Sequence, residues 1–170
     1  MRHPLEFVPV SLRRPLFVFF LSATLVIAVA FRFFEVPGGI VAYELAGSVK
    51  NAADILKTWD EAARLKAAFG LGFDYLFMLV YAMAIALASL LAAGRHTGWL
   101  KSLGAVAGWG AFAAASFDAV ENAALWRILS NGASDPWPMI AAVCASVKFF
   151  FFFAGILVAL AAGLKKAPSP

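Results

Sequence analysis

The sequence is poor in the residues that disulfides, redox centres and many metal sites require. It has one cysteine, Cys144, and two histidines, His3 and His96, both outside the long apolar stretches. A single cysteine excludes an intrachain disulfide and a CxxC redox pair. Two histidines in these positions argue against a bis-histidine haem within a bilayer. We therefore expect no cofactor and no metal ion.

Sequence motifs of common enzyme classes are also missing. The chain contains no HExxH zinc motif, nucleophile elbow, P-loop or glycine-rich dinucleotide fingerprint. Charged residues make up only 14% of the chain, and the net charge of +4 forms no basic face interleaved with aromatic residues. The basic residues lie instead near the ends of apolar stretches, which is typical of membrane topology and lipid headgroup contact. We expect no nucleic-acid partner.

Apolar residues dominate what the chain does contain. Hydrophobic residues account for 63% of it and the mean hydropathy is +0.84, whereas soluble domains have roughly 45 to 50% apolar residues. About 20 apolar residues are needed to cross the hydrocarbon core. Four stretches satisfy this requirement: 15–34, 69–93, 103–129 and 139–164. The sequence predicts an all-α integral membrane protein, a four-transmembrane-helix bundle that forms one domain over residues 1–170.

The first apolar stretch follows a basic segment, so a secretory signal peptide is an alternative to a first span. Arg2, Arg13 and Arg14 precede the stretch, and the Ala-Val-Ala sequence at 28–30 resembles a cleavage site. The stretch is long for the apolar region of a signal peptide, and Pro15 suits the start of a helix. We expect an uncleaved first span.

The segment over residues 35–66 is the only long connection between predicted spans. Between residues 45 and 63, apolar residues recur in steps of four and three with charged residues between them, a pattern that predicts an amphipathic helix. Thr58 and Glu61 match a capping box, which predicts a helix that starts near Trp59 and continues into the second span. The predicted architecture therefore includes an extra amphipathic helix in the first, outer loop.

Basic residues determine the predicted orientation. Those near the N-terminus, the second loop and the C-terminus are Arg2, Arg13, Arg14, Arg95, Lys101, Lys165 and Lys166. Because short cytoplasmic segments are enriched in Lys and Arg, these three regions should be cytoplasmic. We expect a multi-pass protein of the bacterial inner membrane with both termini in the cytoplasm.

The third predicted span carries polar residues on one face. Steps of four and three across residues 104–125 select a stripe that begins with a GxxxG pattern of small residues and continues through Asp118 and Asn122. Small residues allow a neighbouring helix to approach closely, and polar residues within a membrane need partners on such neighbours. Trp109 and Phe112, on the opposite side, should face lipid or another protein.

Ionisable residues lie at similar predicted depths in three of the spans. Asp118 and Lys148 are each roughly 15 Å from the outer end. We predict that they pair, because a charge at the bilayer centre costs roughly 2.5 to 3.5 kcal/mol. Asp74 and Glu121 should share a shallower chamber, about 8 to 12 Å deep. The candidate ligand-binding residues are Asp74, Tyr75, Tyr81, Asp118, Glu121, Asn122 and Lys148.

Two interpretations of this set stay open. In the first, the polar residues form an internal ion pair whose hydrogen bonds are completed by Asn122 and one of the two tyrosines, and which fixes the register of the helices. In the second, they line a polar chamber, open to the outer face, where a ligand headgroup or a proton binds among Asp74, Glu121 and Lys148. Catalytic residues are unknown.

Three short features resemble a known type of protein. The D-Y-L-F sequence at 74–77, the D-A-V-E-N sequence at 118–122 and the lone Lys148 resemble those of small uncharacterised four-span bacterial inner-membrane proteins. This resemblance covers most of the chain and implies the fold without an activity. The plan of four helices with intramembrane acids is also similar in architecture to the sterol-isomerase and sigma-2 receptor group, without a motif that matches residue by residue.

The sequence thus predicts a non-catalytic binding or accessory protein of the inner membrane. It would hold a lipid-like ligand or dock on a larger membrane complex through its aromatic outer surface, with membrane lipids, such a complex or a second copy of the chain as partners. The alternative is a small intramembrane enzyme or proton-coupled carrier that uses Asp74, Asp118 and Glu121.

Overall fold

The computed structural model describes residues 1–165, and Lys166, one of the basic residues used for the predicted orientation, lies outside the described residues. Within this part the chain is helical and has no strand. The elements are α1 (Val10–Ala30), a 3₁₀ helix (Phe31–Phe34), α2 (Ile40–Glu44), α3 (Val49–Lys57), α4 (Glu61–Ala93), α5 (Trp99–Asn131) and α6 (Trp137–Leu164).

Within residues 1–165, four helical segments are long and apolar enough to cross a membrane: Val10–Phe34, α4, α5 and α6. The prediction of an all-helical chain with four candidate spans is confirmed. The second and third candidate spans, α4 and α5, are longer than predicted: each has 33 residues. At 1.5 Å per residue this is about 50 Å, more than the roughly 30 Å of a hydrocarbon core. Hydropathy identifies only the apolar part of such a helix.

The first helix begins earlier than predicted. It starts at Val10, so that Pro15 lies inside the helix rather than at its first position. The Pro9 carbonyl accepts a hydrogen bond from the Leu12 N–H at 2.9 Å, and Arg13 Nε donates to the Val8 carbonyl at 2.9 Å. These bonds satisfy the Leu12 N–H and the Val8 and Pro9 carbonyls at the start of the helix. The helix can therefore begin without a proline at its first position.

The predicted capping box at Thr58 is wrong. The Thr58 hydroxyl donates to the Ile55 carbonyl at 2.7 Å, at the end of α3, while Asp60 Oδ1 accepts from the Ala63 N–H at 2.7 Å and caps α4. A threonine hydroxyl can bond backward to a carbonyl or forward to an N–H, and the sequence does not distinguish the two. The predicted helix that starts near Trp59 and continues into the second span is nevertheless present, since α4 runs from Glu61 to Ala93. The connection contains two short helices, α2 and α3, where the sequence predicts one amphipathic helix, because Gly47 adopts a positive φ and Ser48 caps a new helix.

The described chain divides into two compact units. Unit 1 contains Met1–Leu25, Leu79–Ala115 and the described part of Phe149–Pro170. Close packing of small residues characterises it: a Cβ at Gly104 would overlap the Ala93 methyl, and one at Gly155 would overlap Ile85. The first glycine of the GxxxG pattern therefore serves helix packing within the chain, as predicted, whereas the second, Gly108, makes room for the His3 side chain and not for a helix. Trp109 is 50% exposed and Phe112 is partly exposed, so neither side chain is enclosed.

Unit 2 contains Val26–Met78 and Ser116–Lys148. The apolar stripe predicted in the first loop is largely buried here, since Ala52, Leu56 and Trp59 all belong to the core. Trp59 also donates from Nε1 to the Pro37 carbonyl at 2.9 Å, and its ring packs on Tyr43 with 5.0 Å between centroids. The predicted amphipathic character of the segment is confirmed, and α2 and α3 pack firmly within this unit.

Candidate functional site

A buried ionic cluster lies within unit 2, with Lys148 of α6 at its centre. Lys148 Nζ is 2.8 Å from Glu121 Oε2, 3.2 Å from Asp118 Oδ1 and 3.7 Å from Glu44 Oε2. Glu121 is 0% exposed and Asp118 is 2% exposed, so little solvent screens these charges. The predicted ion pair between Lys148 and Asp118 is confirmed.

The prediction that Glu121 lies in a separate, shallower layer is wrong. Glu121 makes the shortest contact with Lys148, and its Oε1 also accepts a hydrogen bond from Nζ at 2.9 Å. Asp118 and Glu121 are three residues apart on α5, which places them on the same face with an axial offset of about 4.5 Å. Flexible glutamate and lysine side chains span such an offset. Three positions of separation along α5 therefore do not prevent both carboxylates from contacting the same lysine.

Asp74 of α4 belongs to the same cluster through Asn122. The Asn122 side-chain amide donates to Asp74 Oδ2 at 2.7 Å, and the Asp118 carboxylate is an electrostatic neighbour of Asp74. Unlike the other acids of the cluster, Asp74 is only partly buried. It is therefore the least buried acid of the cluster and lies at its edge.

Glu44 is the member of the cluster that the sequence analysis missed. It is the last residue of α2, and the preceding Tyr43 donates from its hydroxyl to the Leu125 carbonyl of α5 at 3.0 Å. Tyr43 is 1% exposed, so this buried hydrogen bond fixes the end of α2 against α5. One signal was present in the sequence: Glu44 is the only charged residue between positions 36 and 49.

The two candidate tyrosines occupy different places. The Tyr75 hydroxyl donates to the Ala119 carbonyl at 3.2 Å rather than to a carboxylate, and 44% of the residue is exposed. Tyr81 is buried in unit 1, where its ring packs edge-on against Phe152 with 5.1 Å between centroids. Tyr75 thus lies beside Asp74 at the edge of the cluster without completing the hydrogen bonds of the ion pair.

Acids outnumber bases in the cluster. Its described side chains are four carboxyl groups, from Glu44, Asp74, Asp118 and Glu121, and one ammonium, from Lys148. Glu44 Oε2 and Glu121 Oε2 are buried without a hydrogen bond of acceptable geometry in the described part of the chain. Burial raises the pKa of Glu44, the Lys148 ammonium opposes this shift, and the Asp118 carboxylate adds to it.

This arrangement can accept positive charge. A buried group of carboxylates with too few cations lowers its energy by taking up a proton or by binding a further cation. Among residues 1–165, no group of three or more His, Cys, Asp or Glu side chains has the geometry to hold a metal ion. Protons and organic cations can supply the positive charge without a preformed set of metal ligands.

No family model, curated protein or solved structure matches this chain. The resemblances noted from the sequence therefore stay predictions, and the chemistry of the ionic cluster is the basis for a functional proposal.

Proposed function

We propose that this protein is a non-catalytic membrane binding protein whose acid-rich cluster takes the cationic headgroup of an amphiphile. The observation that carries the proposal is the excess of four carboxyl groups over one ammonium in a buried site. An ion pair that served only to fix helix register needs one acid for one base. Three further acids around Lys148 are costly in an apolar environment unless a proton or a ligand offsets their charge.

The edge formed by Asp74 is the entry point in this proposal. Asp74 is partly exposed, and the neighbouring Tyr75 and Leu76 are 44% and 48% exposed. An ammonium group here would pair with the Asp74 carboxylate and contact the tyrosine ring, which favours cations electrostatically. The apolar tail of the ligand would lie along the exposed apolar side chains of α4.

The cellular setting that we propose follows the distribution of basic residues. The chain would be a multi-pass protein of the bacterial inner membrane, with both termini cytoplasmic and with α2 and α3 on the outer side. Membrane lipids would be its immediate partners. Exposed aromatic residues such as Trp126 and Phe150, which are 52% and 67% exposed, would contact lipid, a larger membrane complex or a second copy of the chain.

Ligand-induced stabilisation tests the proposal. The full chain in neutral detergent micelles is titrated with a long-chain primary amine, the alcohol of equal chain length and the corresponding carboxylic acid, while its thermal unfolding midpoint is followed. The amine should raise the midpoint, because a ligand that binds only the folded state stabilises it. Equal stabilisation by the alcohol would show that the headgroup is not recognised and would refute the proposal.

Two variants sharpen this experiment. Asp74→Asn should abolish the effect of the amine, because it removes the accessible carboxylate. Asp54→Asn is the matched control, since Asp54 forms an exposed pair with Lys57 at 2.7 Å on α3, and it should leave the effect unchanged. Retention of the full amine response in Asp74→Asn would contradict the proposed entry point.

A proton-coupled carrier or small intramembrane enzyme that uses Asp74, Asp118 and Glu121 is the second candidate. The surroundings of Glu121 favour it: the residue is 0% exposed and shares the Lys148 ammonium with two other acids. A buried carboxyl group that shares one cation with other acids can take up a proton. Reconstitution in vesicles that contain a pH-sensitive dye distinguishes the two functions. Amine-dependent proton movement that Glu121→Gln abolishes would support the carrier, whereas amine binding without proton movement supports the binding protein.

A further inference from the structure

A second polar site lies in unit 1, where the N-terminal segment folds onto α4 and α5. His3 Nε2 is 3.2 Å from Ser89 Oγ of α4, and His3 Nδ1 accepts a hydrogen bond from the Leu5 N–H at 3.1 Å. Trp109 of α5 donates from Nε1 to the Arg2 carbonyl at 3.1 Å. A Cβ at Gly108 would overlap the His3 ring. The segment is thus held by specific contacts with both helices.

The tautomer of His3 follows from these bonds. Because Nδ1 accepts from a backbone N–H, the ring proton is on Nε2 and points to the Ser89 hydroxyl, which itself donates to the Ala86 carbonyl at 2.9 Å. Burial lowers the pKa of His3 to about 4. The ring is therefore neutral near pH 7 and contributes a polar wall, while the charge of this region comes from other residues.

A cavity of about 190 Å³ lies beside this wall, between the N-terminal segment, the end of α4 and the start of α5. Arg2 and Lys101 line it with one acid, Glu6, so basic residues predominate. Lys101 is in the first turn of α5, where the helix dipole is positive, but Leu90 and Ala93 of the last turn of α4, where the dipole is negative, line the same cavity. The positive charge of the cavity therefore comes from the basic side chains. Gly94 and Gly104 also line the cavity, and Gly104 allows α4 and α5 to pack closely beside it.

We propose that this cavity binds a phosphate group, carried either by an anionic lipid headgroup or by free phosphate. Arg2 and Lys101 outnumber the single acid Glu6 at the cavity, and flexible basic side chains bind phosphate through charge-assisted hydrogen bonds. The volume suits a headgroup rather than a whole drug-sized ligand, which occupies about 300 Å³ or more. In the proposed orientation the cavity lies on the cytoplasmic side, at the level where lipid phosphates occur.

The two sources of phosphate are distinguished with the full chain in neutral, phosphate-free detergent micelles. Inorganic phosphate is titrated in one series and phosphatidylglycerol in mixed micelles in the other, with the thermal unfolding midpoint as the readout. Stabilisation by phosphatidylglycerol alone would assign the site to a lipid headgroup, and stabilisation by both would assign it to any phosphate. No shift with either probe would overturn the proposal.

Variants of the exposed basic residues test the location. Lys101→Gln should weaken the binding of the effective probe by about tenfold, which corresponds to the loss of one charge-assisted hydrogen bond. Lys57→Gln is the matched control, because Lys57 is an exposed lysine in unit 2 and should retain the wild-type affinity. Equal weakening by both variants would mean that the probe responds only to overall charge, and unchanged affinity in Lys101→Gln would place binding elsewhere. Either result would overturn the proposal.

Discussion

Replacing Lys148 by methionine would remove the cation that three buried carboxylates of unit 2 share. Coulomb attraction falls inversely with distance, so the attraction at the 3.7 Å of Glu44 is about three quarters of that at the 2.8 Å of Glu121. Asp118, at 3.2 Å, lies between the two. All three carboxylates therefore depend on Lys148 to a similar degree, and the substitution affects each of them.

The expected loss is large because the remaining charges stay buried. Removing one partner of a buried ion pair costs about 3 to 5 kcal/mol of unfolding free energy, and Lys148→Met should fall in this range. Glu121→Gln alone should cost less than about 1 kcal/mol, since the lysine keeps two acids and the excess of negative charge decreases. Combining Lys148→Met with Asp118→Asn and Glu121→Gln should recover most of the stability, because most of the unpaired charge is then gone.

Equilibrium unfolding of the full chain in mixed micelles, followed by tryptophan fluorescence, measures these differences. Lys57→Met is the matched control: Lys57 also pairs with an acid, at 2.7 Å, but its side chain is 74% exposed. A surface pair contributes about 0 to 1 kcal/mol, so this variant should remain close to wild type. If Lys148→Met were no less stable than Lys57→Met, or if the triple variant recovered nothing, the assignment of Lys148 as the shared cation would be refuted.

Three further predictions concern packing, pH and topology. Gly104→Ala should lower the unfolding free energy by about 1 to 3 kcal/mol, because the added methyl overlaps the neighbouring helix. Gly72→Ala, where nothing lies within 4 Å of the added methyl, should cost nothing, and equal losses would contradict this reasoning. His3, whose pKa is lowered from 6.5 to about 4 in the fold, should contribute up to about 3 kcal/mol of stability above pH 6.5 that is lost as the pH falls through about 4. This pH dependence should be smaller in His3→Gln, and identical profiles would exclude the contribution. Lys57→Cys, in a chain without Cys144, should react with a membrane-impermeant maleimide from the outer side of the inner membrane, and labelling only from the cytoplasm would reverse the proposed orientation.

The four apolar helices could be predicted because hydropathy and helical periodicity are local properties of the sequence. Hydropathy and helical periodicity depend on residues within a few turns of one another, so the four apolar helices could be identified without tertiary information. The same periodicity placed Asp118 and Asn122 on the buried face of α5, where both are 2% exposed. The cost of burying a charge in an apolar environment was sufficient to predict that Asp118 pairs with Lys148.

The rest of the candidate site depends on contacts that local pattern does not encode. Glu44 reaches Lys148 because the Tyr43 hydrogen bond to the Leu125 carbonyl places the end of α2 against α5. Glu121 joins the same lysine because side-chain reach, rather than residue count along the helix, decides which charges meet. His3, which the sequence placed merely outside the spans, is buried against Ser89 where Gly108 leaves room for its ring. Composition and the period of the hydrophobic residues thus determined which segments are helical and which helix faces are polar. The path of the chain between the helices decided which polar groups share a site, because that path brings together residues that are distant in sequence.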